Sequence, residues 1–482
     1  MGSINRQSLI RVLKILLGPL VCLVINLIDT ELVSPEADKV ISIAAWMVIW
    51  WITEPVSISV TALLPIILFP FLGIMPLTEV TANYGSSIIF LFFGGFILAL
   101  AMEKVNLHKR IALQIILLTG TGEKGVLLGF ILATSLLSMW ISNTATTLVI
   151  LPIALSIVSF LKERNANQLD GKYFANFKVA CMLGIAYAAN IGGTATIIGT
   201  PPNVVLIGYM EDQMNRQMDF LQWMIIALPF AIIMLAATHF LLVRMFKLGR
   251  GGSFSPRSVI RDEIKQLGRI SADEISVLAV FGITILFWVF RIQIINLTGY
   301  QISNTQIAMI GAMGVFLIPS FKGNQSILQW KDTTKMQWGI LILFGGGLAL
   351  ANAFEGAGII EMIGSYVKEE GFRAVTAIPF ITTVMLFMTE LMSNVALVNI
   401  FAPIIAGVAD GIGVDFLEVG IPVALASSCA FMLPISTPPN AIVYSSGYVK
   451  VIQMIKAGVL LNLLAILLLI VIGLFWVSFV QV

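Results

Sequence analysis

Ser142-Asn143-Thr144-Ala145 lies in the middle of an apolar stretch and is answered 251 residues later by Ser393-Asn394-Val395-Ala396. Downstream of each comes a second shared signature: Gly199-Thr200-Pro201-Pro202-Asn203 in the first case, and Ser436-Thr437-Pro438-Pro439-Asn440 at an offset of 237 in the second. Upstream, Phe92-Phe93-Gly94-Gly95 pairs with Leu343-Phe344-Gly345-Gly346, and Ser138 with Thr389 and Pro152 with Pro403 keep the 251 register. Paired motifs in one order and with matched hydropathy mark two related halves, the weak internal symmetry seen in many membrane carriers.

The paired motifs are places where a helix has to stop. Ser, Asn and Thr cap helix N-termini by accepting backbone N–H bonds, so one helix ends before Ser142 or Ser393 and another begins after it. Proline disfavours the helical conformation in the residue before it, yet suits the first turn of a new helix. The breaks of the second signature therefore fall at Thr200 and Thr437.

The surroundings of these breaks are apolar throughout. Of 482 residues 58% are hydrophobic and 11% charged, and the mean hydropathy is +0.97. A soluble domain needs far more charge to cover its surface, so the bilayer is the solvent. A net charge of +2 with scattered basic residues leaves no footprint for nucleic acid. Cys22, Cys181 and Cys429 lie in or beside apolar runs without CxxC spacing and read as small core residues. With His108 and His239 the only histidines, a histidine metal centre is excluded.

Apolar runs long enough to span predict helices at about 10–28, 39–53, 57–74, 86–104, 176–210, 221–246, 275–295, 306–320, 338–355, 417–446 and 452–480. The interrupted stretches 125–160 and 376–408 are expected to be re-entrant hairpins. The fold expected is an all-α polytopic membrane protein of about 11 transmembrane helices plus two re-entrant hairpins in two inverted repeats. Its parts are an N-terminal helix and loop (1–38), a first repeat (39–246), a cytoplasmic connector (247–274) and a second repeat (275–482).

Lysine and arginine bias in short loops orients the chain. With the N-terminus cytoplasmic, the inner loops hold Lys104, Lys109, Arg110, Lys247, Arg250, Arg257, Arg261, Lys265, Arg269, Lys322, Lys331 and Lys335. The outer loops hold Asp29, Glu31, Glu36, Asp38, Glu211, Asp212, Asp410, Asp415 and Glu418, and the C-terminus is outside. This partition needs each interrupted stretch to enter and leave on one face. The N-terminal run, preceded by Arg6, Arg11 and Lys14, lacks a small-residue cleavage pattern and is expected to be a retained helix in the plasma (inner) membrane.

Broken backbone at membrane depth is tolerated only inside protein or against a polar cavity. Four breaks at matched depth imply one shared cavity. New helix N-termini supply roughly half a positive charge each, and broken-helix carbonyls supply oxygen ligands. Neither signature contains a lysine or arginine, so an anion held there needs co-bound cations. Sodium suits backbone carbonyls together with Ser138, Ser142, Asn143, Thr389 and Asn394.

Ser-Asn-Thr followed by Gly-Thr-Pro-Pro-Asn, then Ser-Asn-Val followed by Ser-Thr-Pro-Pro-Asn, resembles the divalent anion/sodium symporters, and the resemblance covers most of the chain. It implies import of a di- or tricarboxylate such as succinate, malate, fumarate, 2-oxoglutarate or citrate. It also implies a homodimer whose transport domains move like elevators. The matching positions imply one sodium site at Ser138, Ser142, Asn143 and Gly199 and another at Thr389, Met392, Asn394 and Ser436. Substrate would meet Asn143, Thr144, Thr200, Pro201, Asn394, Val395, Thr437 and Pro438. Many members carry threonine where this chain has Val395, which cannot donate a hydroxyl bond, so the second carboxylate is expected to be held differently.

Several features read as structural. Ser303-Asn304-Thr305 lacks a Pro-Pro-Asn partner and is expected to be a simple N-cap. Gly94 and Gly345 are expected at close helix contacts, Trp46, Trp50 and Trp51 in the core or interface, and a short amphipathic helix between Lys247 and Arg269. Glu390 has two readings, an ion path or a hairpin surface. Carboxylate exchange, sulfate symport and a passive channel stay open as alternatives. An intramembrane enzyme would need a nucleophile with a base, or a metal cluster, and neither stands near the motifs. No enzyme and no cofactor beyond coupling sodium is expected; the partners are a small anion, sodium and lipid.

Overall fold

The computed structural model describes residues 6–27, 34–120, 122–164, 171–249, 257–321, 323 and 325–480. Asp29, Glu31, Arg250 and Lys322, used above to orient the chain, lie outside the described residues. The described secondary structure is helical, and nine helices are long and apolar enough to cross a membrane. On the first of them, Arg6–Leu27, Leu9, Leu13, Leu16, Leu20 and Leu23 are all exposed, as a lipid-facing helix requires.

Both Ser-Asn motifs fall between two helices. Glu123–Ser138 stops and Asn143–Arg164 begins, with the Ser142 hydroxyl accepting the Ala145 N–H at 3.2 Å. Ala374–Met388 stops and Asn394–Ile412 begins, with Ser393 as N-cap. The first pair meets the connector: the Glu123 carboxylate accepts the Gly249 N–H at 2.6 Å, and Asn143–Arg164 packs on the amphipathic helix Arg257–Leu267. The second pair meets the last helix, where Gly473 faces both Ile378 and the Glu418 carbonyl. Trp476, three residues on, donates to the Ile225 carbonyl at 3.4 Å. Helix Phe220–Met245 thus starts at the second pair's outer ends and finishes at the first pair's. The two pairs open in opposite directions.

The Thr-Pro-Pro-Asn signatures break two helices as expected, into Gly171–Thr194 and Pro201–Met214, and into Phe416–Ser427 and Pro438–Ser445. Each pair's two arms pack against the unbroken part of its own half's broken helix, so pair and break form one unit. Two amphipathic helices, Leu107–Leu118 and Ile359–Glu369, precede the pairs and were not among the expected spans. The expected span 57–74 is two short helices, Ile58–Thr61 and Leu64–Phe71, because proline stands at the second position of the latter. The span 275–295 divides at Phe290 into Ala272–Val289 and Arg291–Thr298.

Small residues let these helices approach. Gly94 lies against Ala308, and a Cβ there would come within 2.8 Å of it; Gly345 lies against Tyr84. Ser303 accepts the Gln306 N–H at 3.1 Å, the N-cap read from the sequence. Trp51 is buried, and the three cysteines are buried and free.

Gly192 marks the tightest joint of the first unit, since a Cβ there would press into the main chain of Ser135. Gly192→Ala is expected to cost about 1–3 kcal/mol by overpacking and to lower the melting temperature of the purified protein. Gly282→Ala, in a helix with nothing within 4 Å of the new methyl, is expected to hold or slightly raise it.

Candidate substrate and ion site

A cavity of about 760 Å³ gathers both pairs of motifs. Its lining includes Ser142, Asn143, Thr144, Gly199, Thr200 and Pro201 from the first half, and Met392, Asn394, Val395, Ser436, Thr437 and Pro438 from the second. Among the described residues, Lys14 and Glu54 are the only charged ones lining it, and Lys14 donates to the Thr53 carbonyl at 3.0 Å. The body of the cavity is built from hydroxyls, carboxamides and main chain.

The broken segments survive burial because side-chain amides take up their carbonyls. Asn203 Nδ2 donates toward the carbonyls of Thr196 at 2.8 Å and of Gly193 and Thr194 at 3.3 Å. Trp223 Nε1 also donates to Thr194, at 3.0 Å. In the second half Asn440 Nδ2 donates toward the Ala430 carbonyl at 2.9 Å and toward the Leu433 carbonyl and Ser436 Oγ at 3.1 Å. Both asparagines are fully buried. The fifth letter of each signature is therefore a brace for the break, a role its sequence position left unassigned.

Behind the lining sits a second layer, matched between halves. Ser138 Oγ stands 2.5 Å from Asn143 Oδ1 and 2.7 Å from the Ala189 carbonyl. Thr389 Oγ1 stands 2.7 Å from Asn394 Oδ1 and 2.5 Å from the Ser427 carbonyl. Each hydroxyl lies within hydrogen-bond reach of a carboxamide and a main-chain carbonyl, so each trio gathers oxygen ligands in one place. Gly193 keeps room beside the first trio; a Cβ there would come 2.7 Å from Asn143 Oδ1 and 3.1 Å from the Gly199 carbonyl. Such oxygen sets suit a hard monovalent cation.

Some expected ligands are engaged elsewhere. Ser142 Oγ caps its helix, and Ser436 Oγ bonds the Leu433 carbonyl at 2.6 Å. Met392 lines the cavity without a polar bond to the second trio. Thr437 accepts the Asn440 N–H at 3.3 Å, whereas Thr200 makes no cap bond. Asn190, which the repeat search missed because no asparagine answers it, lines the cavity and donates toward Thr437 Oγ1 at 3.0 Å and the Ala430 carbonyl at 3.3 Å. It ties the two halves together at the cavity wall.

Glu390 is buried and does not lie on a hairpin surface. It is 2% exposed and accepts from Phe431 N at 2.8 Å, Met432 N at 2.9 Å, Leu433 N at 3.1 Å and Asn462 Nδ2 at 2.9 Å.

Opposed helix pairs and broken helices closing on one polar cavity define a multi-pass membrane transporter. The particular lineage follows from comparison: a family model described as "Sodium:sulfate symporter transmembrane region" matches residues 9–482, and the chain belongs to that family. The sodium-dependent dicarboxylate transporter SdcS of Staphylococcus saprophyticus is 37% identical over 471 residues, covering 96% of this chain and 91% of its own. SdcS of Staphylococcus aureus is 36% identical over 473 residues, covering 96% and 90%. Among solved structures, the Alcanivorax borkumensis YdaH transporter has a TM-score of 0.58, covering 83% of this chain and 88% of its own; at 13% identity it shares the fold alone.

The different duties of the two signature threonines are separable. Thr437→Val, losing a cap, is expected to destabilise by about 1 kcal/mol and lower the melting temperature, while Thr200→Val leaves it unchanged. Asn203→Leu strips one donor from three buried carbonyls and is expected to lower stability by about 1–3 kcal/mol in the same melting experiment.

Proposed function

We propose that this protein imports a dicarboxylate in symport with sodium. The observation that carries the reading is the pair of oxygen-rich trios, Ser138–Asn143–Ala189 and Thr389–Asn394–Ser427, standing directly behind one cavity. A cation in each trio presents positive charge to the cavity. Asn143 and Asn394 belong to both the trios and the lining, so ion and anion share them. Gly199 adds a carbonyl at the first site, and Met392 and Ser436 join the second through their main chain.

The anion meets four helix N-termini, at Asn143, Pro201, Asn394 and Pro438, two from each half. Two clusters of partial positive charge suit two carboxylates. Thr144 and Thr200 offer hydroxyls on one side, while Val395 leaves the other side to Asn394 and Thr437. The sodium-dependent dicarboxylate relatives support this substrate class. The family's description favours sulfate as a second reading, and counterflow against succinate and sulfate separates the two.

The two helix pairs act as re-entrant hairpins, opening on opposite membrane faces. The cavity mouth carries Lys14, Glu54 and Gln337; by the lysine and arginine bias this is the cytoplasmic side, so the state is inward-open. The N-terminus is then inside and the C-terminus outside, in the plasma membrane. Each hairpin with its broken helix, together with Phe220–Met245 and the last helix, moves as an elevator against the remaining helices. Small residues line the seam: Gly95 faces Ile198, Gly208 faces Ile88 and Gly347 faces Asn399. The domain division at 1–38, 39–246, 247–274 and 275–482 and a homodimer complete the proposal, the dimer resting on the family resemblance.

Proteoliposomes are expected to accumulate labelled succinate only under an inward sodium gradient; equal uptake without sodium contradicts the coupling. Asn143→Ala and Asn394→Ala are each expected to abolish that uptake while the protein stays monodisperse and folded. Normal sodium dependence in either variant removes that residue from the site.

A further inference from the structure

Glu390 breaks the symmetry of the two oxygen trios. It directly follows Thr389, while the matching position after Ser138 is Met139. In the first half the joint is neutral: the Thr196 hydroxyl donates to the Met139 carbonyl at 2.5 Å. In the second half the joint is a carboxylate. Its four partners, three consecutive N–H groups of the broken segment and the Asn462 amide, are all donors, and its two oxygens accept from all four. Among the described residues no lysine or arginine pairs with it. The donors fix the carboxylate in place, but neutral dipoles leave its net charge standing.

We propose that Glu390 makes the Thr389–Asn394–Ser427 trio the tighter of the two sodium sites, so that it fills first and the Ser138–Asn143–Ala189 trio fills second. Thr389 reaches the Ser427 carbonyl and Glu390 the Phe431 N–H four residues further on, which puts the charge on the order of 10 Å from the second trio. At that range, with screening typical of protein, a unit charge strengthens cation binding by about tenfold to a hundredfold. The matching position behind the first trio is Met139, a neutral thioether.

The asymmetry also orders ion and substrate. Until a cation neutralises it, Glu390 opposes a dianion entering the cavity from the second half's side. That is the side where Val395 offers no hydroxyl, so the anion's hold there depends on the cation already bound. Glu390 is thus a positioning residue. It fixes the N–H groups of residues 431–433 while Asn440 fixes the carbonyls of Ala430 and Leu433, and it sets the strength of the adjacent ion site without touching the cavity.

The inference rests on the sodium-coupled reading, and sodium binding without substrate separates the two. Purified protein in choline buffer is titrated with sodium, following both ²²Na binding and melting temperature. The wild type is expected to show two phases about tenfold or more apart. Thr389→Ala is expected to lose the tight phase, Ser138→Ala the weak one, and Glu390→Gln to move the tight phase about tenfold toward higher sodium with the weak phase in place. If Ser138→Ala removes the tight phase, or Glu390→Gln moves only the weak phase or neither, the inference is overturned while sodium coupling stands. If Glu390→Gln does not fold, the two alanine variants alone decide the assignment. A wild type without any sodium response overturns the coupled reading and the inference with it.

Discussion

Two buried side-chain amides, those of Asn203 and Asn440, carry the constraint on which the rest of this transporter depends. Peptide groups without partners cost several kcal/mol each in an apolar medium, and the Pro-Pro step guarantees that some carbonyls lose their helical partners. Each asparagine gathers the carbonyls of one break and is itself completely buried. With those carbonyls held, the chain can keep an extended turn at Thr200 and Thr437 and begin a new helix whose N-terminus points into a cavity. Without them the break would be an open wound in the bilayer.

The site is layered as a consequence. Motif residues line the cavity, and one layer behind them the hydroxyls of Ser138 and Thr389 lie against carboxamide and main-chain oxygens. Asn143 and Asn394 stand in both layers, and under the proposed function this gives coupling a physical route: a cation that orients the carboxamide oxygen also presents the amide to the substrate. Linkage then requires the anion to strengthen sodium binding by the same factor. The halves nevertheless differ, with Met139 and Thr144 on one side and Glu390 and Val395 on the other.

Much of this was legible in the residues because the helix breaks are written in a small vocabulary. Ser-Asn at mid-span and Thr-Pro-Pro are local instructions, and their repetition at fixed offsets exposed the two halves. Cavity membership of Asn143, Thr200, Asn394 and Thr437 followed. Legibility ended where a role depends on long-range partners. Asn190 has no asparagine answering it in the second half, so symmetry gave no signal, and its link to Thr437 spans 247 positions. Glu390 was visible as an intramembrane acid, but its donors lie 41–72 residues away. The amphipathic helices Leu107–Leu118 and Ile359–Glu369 escaped because a search for long apolar runs passes over short, two-faced ones.

Under the proposed function, cations and anion occupy one shared site through Asn143 and Asn394. Isothermal titration of succinate into purified protein, at graded sodium with choline keeping ionic strength constant, tests it directly. Succinate affinity is expected to climb steadily with sodium and to be lost when sodium is absent. Succinate bound with equal affinity in sodium-free buffer would contradict it.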